Sequence, residues 1–167
     1  NQRMQFGIAG QHHPVHVEIQ GRRYERTYSL TQLDEHHVQL TLKKIQGGIV
    51  STWLCEQAQI GDVIEFEAPY GDMLLTTQNQ KKVLLLAAGS GITPMYSMLE
   101  GLHRSGHLKD YDIHLMYWAQ HATGLAFKTQ FEAWQNSYPN FKFTALCTRD
   151  EPAAERINEK HTQYAAD

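Results

Sequence analysis

The run Val83-Leu84-Leu85-Leu86-Ala87-Ala88 enters Gly89-Ser90-Gly91-Ile92-Thr93-Pro94 without a polar break. A continuously apolar run of this length fits a strand covered on both faces, the usual state in a parallel sheet. A strand that ends in Gly-x-Gly places exposed backbone N–H groups at a helix start, where the axis dipole gathers about half a positive charge. Thr93 is expected as the N-cap and Pro94 as the first helical residue. Gly89 and Gly91 let an anion approach with no Cβ in the way. Two readings stand. Gly89, Ser90, Gly91, Thr93 and Pro94 form a loop for the pyrophosphate of a dinucleotide, or the run is a simple tight turn. Pro94 occupies the position where the strict dinucleotide fingerprint has a third glycine.

The rest of the second half keeps this organisation. Pro94–Arg104 reads as a helix with Met95, Met98, Leu99 and Leu102 on one side, and Ile113–Trp118 as a second apolar strand. Phe127–Trp134 reads as a helix with Phe127, Phe131 and Trp134 at three-to-four spacing, and Phe141–Cys147 as a third strand. Alternating strands and helices indicate a parallel sheet. Ligands of such sheets sit beyond the carboxyl ends of the strands, so Thr148 and Arg149 are candidates there. Arg149 suits a bidentate contact to a ribose 2′-phosphate, which favours NADP(H) over NAD(H). The following Asp150 and Glu151 suit a free 2′-hydroxyl instead, and Arg149 also reads as a plain exposed cation.

The first half has period two. Val15–Ile19 alternates apolar and polar residues, Gly21 marks a turn, and Tyr24–Leu30 reads as the next strand. Val38–Lys43 and Val63–Glu67 read as further strands and Thr52–Gln57 as a short helix, with turns at Gly47-Gly48, Gly61-Asp62 and Pro69–Gly71. Short strands separated by turn signals suggest an antiparallel barrel or sandwich. The polar run Thr-Thr-Gln-Asn-Gln-Lys-Lys suggests a boundary near Thr77–Lys82, giving an antiparallel barrel over 1–78 and a parallel α/β domain over 79–167.

Bulk properties exclude several classes. The net charge of −3 leaves no nucleic-acid footprint. Arg22, Arg23 and Arg26, with the pairs Lys43-Lys44 and Lys81-Lys82, read as solvated positions or as a docking rim for an acidic partner. Two cysteines, Cys55 and Cys147, cannot supply the four thiolates of an iron–sulfur cluster. A reducing cytoplasm is the simpler setting for them. No membrane span and no secretory segment is expected. The ten histidines include the group His12, His13, His16 and the pair His36-His37, but no zinc spacing, so no metal site is expected.

A second anion site lies upstream. Arg26-Thr27-Tyr28-Ser29 sits near the end of a strand, with Arg26 and Tyr28 on one face and Ser29 on the other. Arg pairs with phosphate, a Tyr ring stacks on a flat heteroaromatic system, and a hydroxyl bonds a ring nitrogen or carbonyl. Gly48, Val50, Ser51 and Thr52 offer backbone N–H groups and two hydroxyls at a helix start. Each run alone also reads as ordinary strand and cap chemistry. Together, and in this order, they ask for a flavin nucleotide.

On these residues the chain resembles the ferredoxin–NADP reductase family. The matching runs are Ala9-Gly10-Gln11, Arg26–Leu30, Gly48–Ser51, Gly61-Asp62, Ala68-Pro69-Tyr70-Gly71, Gly89–Pro94, and Tyr117 with Phe127. The resemblance implies a Greek-key flavin-binding barrel followed by a parallel nucleotide-binding domain. It implies that Arg26 contacts the FAD pyrophosphate and that Tyr28 and Ser29 meet the isoalloxazine. It further implies that Ser51 and Thr52, with the Gly48 and Val50 backbone, hold the FAD phosphates, and that Thr93 lies at the flavin–nicotinamide junction. Tyr28, Ser29 and Thr93 are thus the residues expected at the reacting rings. Gln120 stands where many members carry an Arg for the nucleotide. Members also carry a strand before the position of Phe6, and a last strand ending in Cys-Gly-Pro past that of Asp167. Both are expected to be missing here.

The implied activity is hydride transfer from nicotinamide to FAD and single-electron delivery to a ferredoxin-type or other iron–sulfur acceptor. In such chemistry the protein positions the cofactors. One variant is the reductase part of an oxygenase or fatty-acid desaturase system with a fused iron–sulfur module, with or without a peripheral link to a membrane. A reading of another class is a non-catalytic nucleotide-binding interaction module, because a fold does not fix a function.

Overall fold

The computed structural model describes residues 7–75 and 81–149. The expected boundary between 78 and 79 lies outside them. Strand β1 (His12–Ile19) pairs antiparallel with β2 (Arg22–Gln32) through a two-residue turn, and β3 (Val38–Leu40) follows. Helix α1 (Ile49–Glu56) and a short β4 (Glu65–Phe66) complete the first half. The strands lie in the order β3-β2-β1-β4, so the fourth returns to lie beside the first, as in a Greek key. β2 serves two ladders. Arg22–Ser29 pairs with β1, and Leu30–Gln32 with β3. A strand shared in this way curls the sheet into a half-barrel.

The period-two reading of β1 holds at Val15 and Val17, both buried. His16, on the opposite face, is buried as well, with its ring against Glu67. Three boundaries differ from expectation. β3 ends at Leu40, and Thr41–Lys43 leave the sheet to line a cleft described below. β4 is only two residues long. α1 begins at Ile49 rather than Thr52, because the Ser51 hydroxyl folds back on the preceding loop. Its Oγ accepts from the Ile45 N–H at 3.1 Å and lies 3.4 Å from the Gly48 carbonyl.

The second half is a parallel sheet in the order β5 (Lys82–Ala88), β6 (Asp112–Ala119), β7 (Phe141–Cys147). The crossovers are α2 (Ile92–Arg104) and α3 (Lys128–Ser137). Consecutive right-handed crossovers put both helices on one face. There Ile92, Tyr96, Leu99, Phe131 and Trp134 pack on Leu85, Ile113, Leu115, Tyr117 and Phe141. Phe131 is wholly buried, which contributes about 1.5–3 kcal/mol. Phe127 is the N-cap of α3 at φ 62, a left-handed value rare outside glycine, and its ring stacks on Tyr96 at 3.7 Å.

Two expectations fail in this half. β5 is not covered on both faces. Leu84 and Leu86 are 37% and 52% exposed, because among the described residues both helices lie on the other side. Thr93 is not the N-cap and Pro94 is not the first helical residue. A single 3₁₀ turn, Gly89–Gly91, runs directly into α2, which begins at Ile92 and leaves Pro94 third. Thr93 Oγ1 donates to the Ser90 carbonyl at 3.1 Å instead of accepting a helix N–H.

The halves meet along α2. Arg104 donates to the Gln32 carbonyl at 2.6 Å. Gly10, at φ +103, is pressed so closely that a Cβ would stand 2.1 Å from the Met73 carbonyl oxygen and 2.9 Å from Met98 Cγ. No helix among the described residues is long and apolar enough to cross a membrane.

Candidate functional site

A cleft of about 830 Å³ opens at the carboxyl ends of the parallel strands. Ala88, Trp118 and Thr148 mark the ends of β5, β6 and β7 along it, and Thr41–Lys43 close it from the first half. This is where an open parallel sheet places a ligand. Of the residues expected for the nucleotide, Gly89, Ser90, Thr93 and Thr148 line the cleft. Gly91, Pro94 and Arg149 do not. Arg149 is exposed, and its backbone N–H donates to the Gln120 carbonyl at 2.9 Å.

The floor of the cleft is fixed by Tyr117. Its buried hydroxyl lies 3.1 Å from the Gly89 carbonyl and 3.2 Å from that of Gly124, so it holds the loop after β5 against the loop after β6. Burial pushes the Tyr117 phenol above its ordinary value, against the opposing pull of the Ala126 N–H. A Cβ added at Gly89 or Gly91 would enter open space. The Gly89–Gly91 turn thus offers an unobstructed approach to the start of α2, where the Ile92 N–H is engaged with the Gly89 and Ser90 carbonyls of that turn. Trp118 also lines the cleft, and its buried indole N–H finds no acceptor among the described residues. These features fit a phosphate-bearing heteroaromatic ligand.

The second group gathers on β2 and α1. Arg26 and Tyr28 lie on one face of β2, opposite Val15 and His13 of β1, and Ser29 lies on the other face, opposite His12. Burial raises the Tyr28 phenol pKa. The Arg26 guanidinium draws it down and Cys55 of α1 pushes it up, so both side chains are close enough to act on its charge. Arg26 is exposed, and its guanidinium donates to the neighbouring Glu25 carbonyl at 2.6 Å, within the same strand. Gly48 is the N-cap of α1, and the N–H groups of Ile49, Val50 and Ser51 are those a helix leaves unpartnered. Thr52 donates its N–H to Gly48. Val50 and Ser51 are buried, so they present backbone rather than side chain. An exposed guanidinium, a half-buried phenol and a row of backbone donors fit the phosphates and ring of a flavin nucleotide.

The sequence reading missed Thr41, Leu42, Lys43, Trp118 and His121 as lining residues. Alternation had suggested that the first three continue a strand. The rule that placed Thr148 beyond β7 also singles out Trp118, the penultimate residue of β6.

Comparison with known proteins agrees with this geometry. Residues 1–74 match the oxidoreductase FAD-binding domain family and residues 85–166 the oxidoreductase NAD-binding domain family. The toluate 1,2-dioxygenase electron transfer component of Pseudomonas putida is 30% identical over 151 residues, covering 90% of this chain and 44% of that protein. A flavohemoprotein of Bacillus subtilis is 41% identical over 95 residues, covering 55% of this chain and 23% of that protein. The chain thus spans less than half the length of these relatives. A ferredoxin–NADP reductase of Neisseria gonorrhoeae solved with FAD and NADP superimposes with a TM-score of 0.72 at 22% identity. That match covers 98% of this chain and 67% of the other. An Amycolatopsis cytochrome P450 reductase superimposes with a TM-score of 0.74 at 23% identity, covering 96% and 49%. A glycine turn leading into α2 and a Greek-key sheet preceding a parallel one coincide with these matches: the chain joins a match to the oxidoreductase FAD-binding domain family to a match to the oxidoreductase NAD-binding domain family, in the fold it shares with ferredoxin–NADP reductases.

Proposed function

We propose that this chain is the cofactor-binding part of an FAD-dependent NAD(P)H reductase that delivers electrons to a ferredoxin-type or other iron–sulfur acceptor. The observation that carries the reading is the pairing of two anion-binding surfaces, one on β2 and α1 and one at the start of α2, with Thr41–Lys43 of the first half reaching into the cleft of the second. When bound, the flavin and the nicotinamide supply the redox chemistry. The chain's own task is positioning. Arg26 and the first-turn N–H groups of α1 hold phosphate, and Tyr28 and Ser29 meet the flavin ring. Gly89, Ser90 and Gly91 seat the second pyrophosphate, with Pro94 shaping the turn behind them. Thr93, braced on the Ser90 carbonyl, marks the junction of the two rings. Tyr117 holds the cradle in shape. Thr148 and Arg149 close the far end, with Arg149 inclining the site toward NADP(H).

The relatives favour one version of this function. They include the electron transfer component of a dioxygenase and the reductase subunit of a glycine betaine monooxygenase. Their names support a role as the reductase of an oxygenase system, with the iron–sulfur group on another segment or protein because the chain has two cysteines. The division into 1–78 and 79–167 is supported by family matches that stop at 74 and resume at 85. A reducing cytoplasm is the setting that two cysteines far apart in sequence suit best.

The test is to purify the full-length protein and record its visible spectrum before and after NADPH or NADH. Flavin absorbance bleached by either nucleotide, with reduction of an added ferredoxin, is the expected result. A colourless protein that takes up no added FAD overturns the reading in favour of a non-catalytic nucleotide-binding module.

A further inference from the structure

We propose that His16, Glu25 and Glu67 form a binding site for a divalent transition-metal ion of the Zn²⁺ type, which clips together three neighbouring strands of the first sheet. None of the three lines the cofactor cleft.

The site follows from register. His16 of β1 stands directly opposite Glu25 of β2. Glu67 follows β4, and its backbone N–H donates to the Pro14 carbonyl, which places it one pleat away on the same face. His16 Nε2 lies 2.8 Å from Glu67 Oε1 and 3.9 Å from Glu25 Oε2, and one ligand atom from each residue falls within 4.8 Å of the others. Donor atoms around a tetrahedral ion at about 2.0–2.2 Å are roughly 3.3 Å apart. The observed spacings bracket that value, so small rotations of the carboxylates suffice. These rotations are available, because the imidazole is only 8% exposed and fixed while both carboxylates are 60% exposed.

The charges point the same way. Nε2 carries at most one hydrogen and is already engaged with Glu67, so a neutral His16 gives Glu25 no partner. Arg23, on the same face of β2, is paired with Glu65 at 3.0 Å. Two carboxylates thus converge on one imidazole nitrogen, and a dication offsets both charges. One imidazole with two carboxylates suits Zn²⁺ and its neighbours better than Mg²⁺ or Ca²⁺, which prefer oxygen alone. Three protein ligands leave a fourth position for water. By strand alternation the site lies on the face of β2 opposite to Arg26 and Tyr28.

The test is Zn²⁺ titration of chelator-treated full-length protein against a chromogenic chelator at pH 7.5. One saturable equivalent is expected, together with a higher unfolding temperature in its presence. His16→Gln, Glu25→Gln and Glu67→Gln should each weaken that equivalent by about tenfold or more, since losing even a group that orients a ligand costs this much. A variant carrying His36→Gln and His37→Gln should retain it. If His16→Gln fails to fold, the variants at the exposed Glu25 and Glu67 decide. Absence of a saturable equivalent, or its persistence at full affinity in Glu25→Gln and Glu67→Gln, overturns the proposal.

Discussion

The Ser97 hydroxyl donates to the Leu30 carbonyl at 2.9 Å, joining residues 67 apart in sequence within a buried seam. Leu30 ends the Arg26–Leu30 run of β2, and Ser97 lies in the second turn of the helix whose start faces the cleft. Together with the Arg104–Gln32 contact, this buried bond ties the strand carrying Arg26 and Tyr28 to the helix whose start faces the cleft. Ser97→Ala is expected to destabilise the fold by about 1 kcal/mol, the usual net value of one internal hydrogen bond. Denaturant unfolding checks this, and coincident transitions by tryptophan fluorescence and far-ultraviolet dichroism should show that both halves still unfold together.

Gly10 meets both backbone and side-chain crowding. Gly10→Ala combines a left-handed φ with a Cβ driven against the Met73 carbonyl. A loss of about 1–3 kcal/mol is expected from the backbone conformation alone. Thermal unfolding of the variant measures it, and an unchanged midpoint would mean that Ala9–Gln11 relocates without cost.

Arg26 tests the flavin assignment. Arg26→Ala should weaken FAD retention roughly ten- to hundredfold, as loss of one charge-assisted bond does. Flavin release on dilution reads this directly. Unchanged affinity removes Arg26 from the site.

Arg149 tests the choice of nicotinamide. Arg149→Ala should lower kcat/KM for NADPH more than for NADH. Equal losses leave no basis for a 2′-phosphate contact.

Stability should respond to pH at both ends of the range. Burial raises the phenol pKa of Tyr28, Tyr96 and Tyr117. The folded state then keeps protons that the unfolded chain releases, so their contribution is complete below about pH 10 and is lost as pH rises through the folded values. Asp34 moves the other way, because the His36 N–H donates to its carboxylate and the His37 side chain bonds it. Its contribution is present above about pH 4 and is lost on acidification. Urea midpoints followed from pH 8 to 11 should fall at the alkaline end, and Tyr117→Phe should flatten that fall.

Much of this architecture is legible in local pattern. Val83–Ala88, Ile113–Trp118 and Phe141–Cys147 announce themselves as largely apolar runs of strand length set between helices, and α2 and α3 because their apolar spacing is helical. Boundaries set by tertiary contact are not legible. Thr41–Lys43 continue the alternation of β3, yet the cleft draws them out of the ladder. Ser51 looks like a helix-start hydroxyl, but it is occupied with the Ile45–Gly48 loop. The convergence of His16, Glu25 and Glu67 is invisible along the chain, because it exists only once three strands have found their register.

That register begins at Gln20 and Gly21, whose φ values of 52° and 71° match the two positive angles of a tight hairpin with the sheet's own hand. Side chains alternate, so a slip of one residue there would exchange the two surfaces of β2. Arg26 and Tyr28 would exchange faces with Glu25 and Thr27, and Glu25 would swing away from His16. Two residues at the far tip of a ribbon thus act as the alignment pin for both surfaces of β2.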